Sequence, residues 1–364
     1  MRISFYGSSL LSSYWNGAAT YYRGILSALA AHGHHITFYE PDAFERQTHR
    51  DIDPPTWAEV RVYPATPEAV RSVLEDGASA DVLVKASGVG VFDRELLGGV
   101  VQIARPDALR VFWDVDAPAT LAAMRTDPSH PVREALPELD LVLTYGGGPP
   151  VTEAYRELGA RRCVAIYNAL DPDTHHPADR DARFSSDLAL LANRLPDRER
   201  RIEDFFLAPA ARLPERTFVL GGSGWGDKPM PPNVRWLGHV YTHQHNAFNS
   251  TPLAVLNVAR DSMAETGYSP ATRVFEAAGA AACLITDAWT GIELFLEPDR
   301  EILVARDGHD VAEHLRALTP ERARAIGGRA RERILAHHTY AQRAVDVHRL
   351  LGETLAVKRQ KSAA

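Results

Sequence analysis

Residues 268–298 read YSPATRVFEAAGAAACLITDAWTGIELFLEP. A polar turn, Tyr268-Ser269-Pro270, precedes a helical stretch carrying Arg273 and Glu276 three residues apart, hence on one helix face. The first turn of a helix leaves backbone N–H groups unpaired, so an anion can be received there. The run from Ala277 to Ala282, with Gly279 inside it, has side chains small enough for the helix to lie close to a sheet. Cys283-Leu284-Ile285-Thr286 then reads as a short buried strand, left by a loop ending at Gly291. Helix, strand and loop in this order are the grammar of a nucleotide-binding α/β unit. Taken alone, a small-residue helix is more often tight core than a site.

The same grammar surrounds this stretch. Upstream, Asp187–Leu191 is a strand running into Asn193, Arg194 and Arg198 at a helix start, a sound anion-binding arrangement. Arg194 and Arg198 flank the turn and are the phosphate candidates; Arg200 and Arg201 are expected on a solvated helix face. Thr217–Leu220 leads into a flexible glycine loop containing Gly222, and Asn233–Val240 forms a short strand and turn with Gly238 and His239. Pro252–Val258 and Ile302–Val304 are further buried strands. Helices are expected over Asp310–Leu318, Pro320–His337 and Tyr340 to about Val357, with a disordered tail from Lys358 to Ala364.

The first half begins with a strand, Ile3–Gly7, a polar loop, and a helix on which Tyr21, Ile25 and Leu29 share a face and Gly33 is the stop. His34–Tyr39 is the next strand, so a parallel sheet is expected. The loop lacks GxGxxG, and no dinucleotide fingerprint is present. Asn16 and Gly17 at the helix start can offer amides to a phosphate or a sugar hydroxyl, or serve as cap and turn. Strands at Ala80–Ala86, Leu109–Trp113, Asp140–Thr144 and Arg162–Tyr167 follow, with Asp114 and Asp116 after the second and Gly146, Gly147 and Gly148 after the third. Loops at the carboxyl ends of parallel strands line the ligand crevice. Asp114 and Asp116 suit substrate hydroxyls or general base work, with helix capping nearly as good an account and a D-x-D metal site a weak one. The polar stretch Asp171–Ser186, with His175-His176, is read as a solvated interdomain linker rather than a metal site.

Composition sets the outer limits. The 364 residues are enough for two domains, and 45% hydrophobic with 24% charged residues is ordinary for a soluble protein. A net charge of −7 disfavours nucleic acid or an anionic membrane as the main partner. The two cysteines, Cys163 and Cys283, lie far apart and imply a reduced, cytoplasmic protein without disulfide or zinc framework. No apolar run approaches a membrane span, and no signal peptide is read at MRISFYG.

Several blocks, in this order and spacing, resemble the GT-B glycosyltransferases, in particular the CgeB-like, spore-maturation-protein-like group. They are YWNGAATYYRGILSALAAHGH from Tyr14, VFWDVDAPATL from Val111, DLVLTYGGGP from Asp140, NRLPDRERRIEDFF from Asn193, VLGGSGWG from Val219, NVRWLGHV from Asn233, RVFEAAGAAACLITD from Arg273 and HTYAQRA from His338. The resemblance implies two Rossmann-like α/β domains facing a cleft: 1–170 for the acceptor and 187–338 for a nucleotide-sugar donor. Residues 171–186 would link them, and a helix over 339–357 would cross back onto the first. It implies that Glu276 holds the donor ribose, that Arg198, with Arg194, neutralises the diphosphate, and that Leu237-Gly238-His239 meets the base. Arg273 and the turn at Tyr268-Ser269 would approach the diphosphate or sugar, with Asn193 and Gly222 beside them. Acceptor candidates are Asn16, Gly17, Gly146 and Gly147; catalytic candidates are Asp114, Asp116 and Arg198. Many relatives carry a second glutamate eight residues before the first, where this chain has Tyr268; the nearest acid is Glu265. The expectation is a metal-independent transferase with no cofactor beyond its nucleotide-sugar co-substrate, UDP-sugar favoured. A nucleotide-sugar epimerase and a non-catalytic binding protein are the competing readings.

Overall fold

The computed structural model describes residues 1–14 and 17–363, with Asp197 described by its backbone. The chain divides into two compact units, Met1–Asn168 with Tyr340–Ala364, and Ala169–Thr339.

The first unit holds β1 (Arg2–Tyr6), β2 (His35–Asp42), β3 (Ala58–Pro64), β4 (Val82–Ala86), β5 (Leu109–Asp114), β6 (Leu141–Thr144) and β7 (Cys163–Ala165). They form one parallel sheet in the order β3-β2-β1-β4-β5-β6-β7. Central strands such as VLVKA and LVLT are buried at every position, as a parallel sheet covered on both faces requires. β3, AEVRVYP, alternates half-buried and exposed residues because it is the edge. That weak alternation is why the sequence reading passes over it.

The second unit holds β8 (Leu188–Leu191), β9 (Phe218–Gly221), β10 (Val234–Trp236), β11 (Ala254–Asn257), β12 (Leu284–Asp287) and β13 (Leu303–Ala305). Its parallel order is β10-β9-β8-β11-β12-β13. Both sheets therefore start in the middle and grow outward in both directions, the doubly wound order. Each has a switch point between its first and fourth strands, where ligands of such sheets bind.

Three differences from the sequence reading have physical causes. The C-terminal helix runs Tyr340–Ala363 rather than ending near Val357. Its last turns are tied to the first unit: Lys358 pairs with Asp140, Arg359 with Asp81 at 2.7 Å, and the Ser362 hydroxyl donates to the Pro106 carbonyl. Higher up, the Tyr340 ring lies over Gly24 so closely that a Cβ there would meet it at 2.2 Å. The stretch 171–186 is not a free linker but part of the second unit. Phe184 is buried against Phe248, the Arg180 guanidinium donates to the Thr251 carbonyl, and the Thr251 hydroxyl accepts from the Asp181 amide. Finally, Gly279 opens room for that stretch as well as for the sheet: a Cβ would meet Leu170 Cδ1 at 2.4 Å and the His175 carbonyl at 2.9 Å. Among the described residues no helix is long and apolar enough to cross a membrane.

Candidate active site

The carboxyl ends of β8, β9 and β10 are laced together by the residues singled out in the sequence. Asn193 Oδ1 accepts from the Ser223 amide at 2.9 Å, and the Gly222 amide donates to the Gly238 carbonyl at 2.7 Å. Gly222 has φ +118°, and a Cβ would strike the Ala192 carbonyl at 2.1 Å, so only glycine fits. Gly238 is also left-handed, at φ +72°, beside exposed His239. Asn193 and Gly222 thus shape the rim through backbone contacts, and Gly238 and His239 stand on its open side.

The two arginines of the β8 turn separate. Arg194 donates to Glu199 and Asp227, each at 2.8 Å, and Glu199 also takes Lys228 at 2.9 Å. Its charge is already neutralised. Arg198, half-buried, gives Nη2 to the Asn193 carbonyl at 3.1 Å. Arg201 departs from the solvated position expected of it. It pairs with Asp287 at 2.6 Å, a fully buried residue at the end of β12, and with Asp261 at 3.5 Å. Asp287 Oδ1 also accepts from the Ala259 amide, so one carboxylate fastens the ends of β11 and β12 to the arginine helix Pro196–Ile202.

The helix Thr272–Gly279 starts at Ala271 with no side-chain cap, and the Val274 amide donates to the Ala271 carbonyl at 3.0 Å. Before it, Tyr268 sits at φ +48°, with its amide donating to the Thr290 carbonyl at 2.7 Å. Such a backbone is strained for an aromatic residue, a feature that clusters at ligand sites. Buried Ser269 donates its hydroxyl to the Gly267 carbonyl. Glu265, the nearest acid, is exposed on the helix Asp261–Thr266.

Arg273 and Glu276 share a face but form no ion pair within 4 Å. Arg273 is half-exposed as a residue, yet its Nη1 is buried without a partner. Glu276 is 8% exposed and its carboxylate receives no hydrogen bond among the described residues. Burial pushes its pKa up, but His175, Arg273 and His245 outweigh this and hold it below the usual carboxylate range. His175 Nε2 lies 3.9 Å from Glu276 Oε1. Neither histidine was assigned a role from sequence. His175 sits in what reads as a linker, and His245 lies 31 residues from Glu276 with no shared motif.

In the first unit the D-x-D pair splits. Asp114 is fully buried and saturated, accepting from Ser87 Oγ at 2.6 Å, the Asp116 amide at 2.9 Å, Thr120 Oγ1 at 3.2 Å and the Tyr155 hydroxyl. It is a structural knot. Asp116 starts the helix Ala117–Thr126 and lines a cavity of about 370 Å³ with Lys85, Ser87, Asp93, Thr120 and His130. Lys85 there pairs with Asp93 at 2.7 Å. Gly146 and Gly147 are buried under the helix Gly148–Glu157; Gly147 has φ +87°, and a Cβ would meet Val151 at 2.0 Å. Pro149 and Pro150 remove two of that helix's first amides, which leaves little for an anion. Gly17 is exposed with open space around it, and Asn16 lies outside the described residues.

Residues 198–349 match a family model described as Glycosyl transferase-like. The match spans 152 of the 364 residues, from the helix Pro196–Ile202 into the helix Tyr340–Ala363. Solved structures share the whole fold of the chain. A sucrose-phosphate synthase from Thermosynechococcus elongatus superposes with TM-score 0.72 at 15% identity, over 98% of this chain and 100% of that one. HepE from Anabaena, in complex with UDP and glucose, gives 0.68 at 14% identity, over 97% and 100%. An alpha-glucosyltransferase in complex with UDP-glucose and DNA containing an abasic site gives 0.70 at 12% identity, over 97% and 99%. At these identities the likeness establishes the GT-B fold. No curated protein matches the chain in sequence.

Proposed function

We propose that this glycosyltransferase moves a sugar from a nucleoside-diphosphate sugar, a UDP-sugar by preference, to a polar acceptor held by the first domain. The observation that carries the reading is Glu276, an ionised carboxylate nearly removed from water with no donor of its own. Leaving a charged group so unsatisfied costs several kcal/mol. The vicinal hydroxyls of a ribose supply two donors at once. The solved neighbours described with UDP or UDP-glucose favour uridine as the base. The sequence blocks further favour the CgeB-like group.

In the reaction the bond from the anomeric carbon to the diphosphate oxygen breaks, and an acceptor oxygen takes its place. Negative charge collects on the departing diphosphate. Arg198, Arg273 and the uncapped first turn of Thr272–Gly279 offer fixed positive potential for it. Arg194, spent on two carboxylates, contributes rigidity instead. Asp116, beside the 370 Å³ cavity, takes the acceptor proton, and the Lys85–Asp93 pair, Ser87 and His130 suit a hydroxyl-bearing acceptor. A net charge of −7 speaks against a DNA acceptor.

A thermal-shift panel of UDP, GDP, dTDP and ADP with their sugars tests the donor, since stabilisation follows affinity. UDP and a UDP-sugar are expected to raise Tm most. Arg198→Ala is expected to lower kcat far more than it raises KM. Turnover abolished by EDTA and restored by magnesium would sink the metal-free account of the leaving group, as would an unchanged kcat in Arg198→Ala.

A further inference from the structure

The histidines beside Glu276 have a geometry that donor binding does not explain. His175, His245 and Glu276 each offer one ligand atom, and these atoms all lie within 4.8 Å of one another. They come from three segments: the chain after Asp171, the helix His245–Ser250 and the helix Thr272–Gly279. Asn246 joins the first two, accepting from the His176 amide and donating to the Thr174 carbonyl at 3.0 Å.

The His175 imidazole is oriented by a second contact. His175 Nδ1 lies 2.9 Å from Thr174 Oγ1. That hydroxyl also donates to the Asp171 carbonyl. His175 Nε2 lies 3.9 Å from Glu276 Oε1. Holding one ring nitrogen so that the other is presented is how proteins aim a metal-binding histidine.

We propose that His175 Nε2, His245 and Glu276 form a three-ligand site for a zinc-type divalent cation, with a fourth position open. Two histidines and one carboxylate are a donor set suited to zinc. Tetrahedral bonds of about 2.0–2.1 Å place ligand atoms roughly 3.3–3.4 Å apart, so the present spacing closes by on the order of 1 Å through side-chain rotation. Arg273 is the opposing charge, and it sets the affinity well below that of a structural zinc. The other cluster of this kind among the described residues, Asp307–His309–Asp310, does not qualify. There Asp307 caps its own helix and Asp310 is paired with Arg306 at 2.7 Å.

If Glu276 also holds the donor ribose, as proposed above, metal and donor exclude each other. Zinc then acts as an inhibitor competitive with the nucleotide sugar.

The test uses the full chain stripped with a chelator and titrated with Co²⁺, followed by its d–d absorbance and by displacement with Zn²⁺. One Co²⁺ per chain with an intense, low-symmetry band is expected. His175→Gln and His245→Gln, checked for folding by circular dichroism, should each weaken binding at least tenfold, and His309→Ala should leave it unchanged. No band, or wild-type affinity in both glutamine variants, overturns the site. A second arm measures UDP affinity with and without Zn²⁺: a fall in the wild type, absent in His245→Gln, supports the competition. Co²⁺ binding with unaltered UDP affinity keeps the metal site and overturns the placement of ribose on Glu276.

Discussion

Glu276→Gln is the most informative single change in this chain, because structure and function predict opposite responses to it. The carboxylate is 8% exposed and lacks a hydrogen bond among the described residues, so losing its charge removes an expensive desolvated ion rather than a stabilising contact. Its ionised form is supported by His175, Arg273 and His245 across space, which offsets part of that gain. Net stability should therefore move by no more than about 1 kcal/mol in either direction. Donor binding should respond strongly. A hydrogen bond to a charged group contributes about 1.5–3 kcal/mol, and a neutral amide keeps only a fraction of it. The expected loss is about 10- to 150-fold in Kd for UDP. Calorimetric titration of wild type and variant with UDP and 2′-deoxy-UDP forms a double cycle. The deoxy ligand should bind the wild type about tenfold more weakly than UDP, and the variant with little discrimination. Equal discrimination by both proteins, or unchanged UDP affinity in a folded variant, would refute the ribose contact.

The two aspartates of the first domain should behave unlike each other. Asp114→Asn introduces donors opposite the Tyr155 and Ser87 hydroxyls and should destabilise by about 2–4 kcal/mol in urea unfolding. Asp116→Asn should leave the unfolding midpoint near wild type and reduce kcat at least a hundredfold. Acid should loosen the C-terminal helix. Burial, with the amino terminus and His348 nearby, lowers the His34 pKa to about 4, and its ring contacts His348 at 3.0 Å. Folding therefore favours the neutral ring, so stability is complete above about pH 6.5 and is lost as pH falls toward 4. Solvent screening limits this to on the order of 1–2 kcal/mol. Hydrogen exchange of Tyr340–Ala363 should accelerate over that window, and His34→Asn should flatten the dependence.

Much of the architecture is written in local pattern. Apolar runs of four to six residues, each followed by a polar or glycine-rich loop, fix the parallel strands, because a strand buried on both faces needs continuous hydrophobicity. The edge strand Ala58–Pro64 escapes because its alternation is weak and one side meets water. The turn at Arg198 and the helix bearing Arg273 and Glu276 are equally legible, since each lies within one strand–loop–helix unit.

What the sequence by itself determined is the two doubly wound domains and the short-range motifs that mark their loops. Only tertiary structure decided which partners each charged group takes. Arg194 and Arg198 look alike in sequence until Asp227, more than thirty residues on, claims the first. Asp114 and Asp116 look alike until Tyr155 and Ser87 bury one of them. His175 and His245 reach Glu276 only because Gly279 and Asn246 let the 171–176 segment settle onto its helix. The physical reason is range. Secondary structure follows neighbours in the chain, whereas the charge and protonation of a side chain follow neighbours in space.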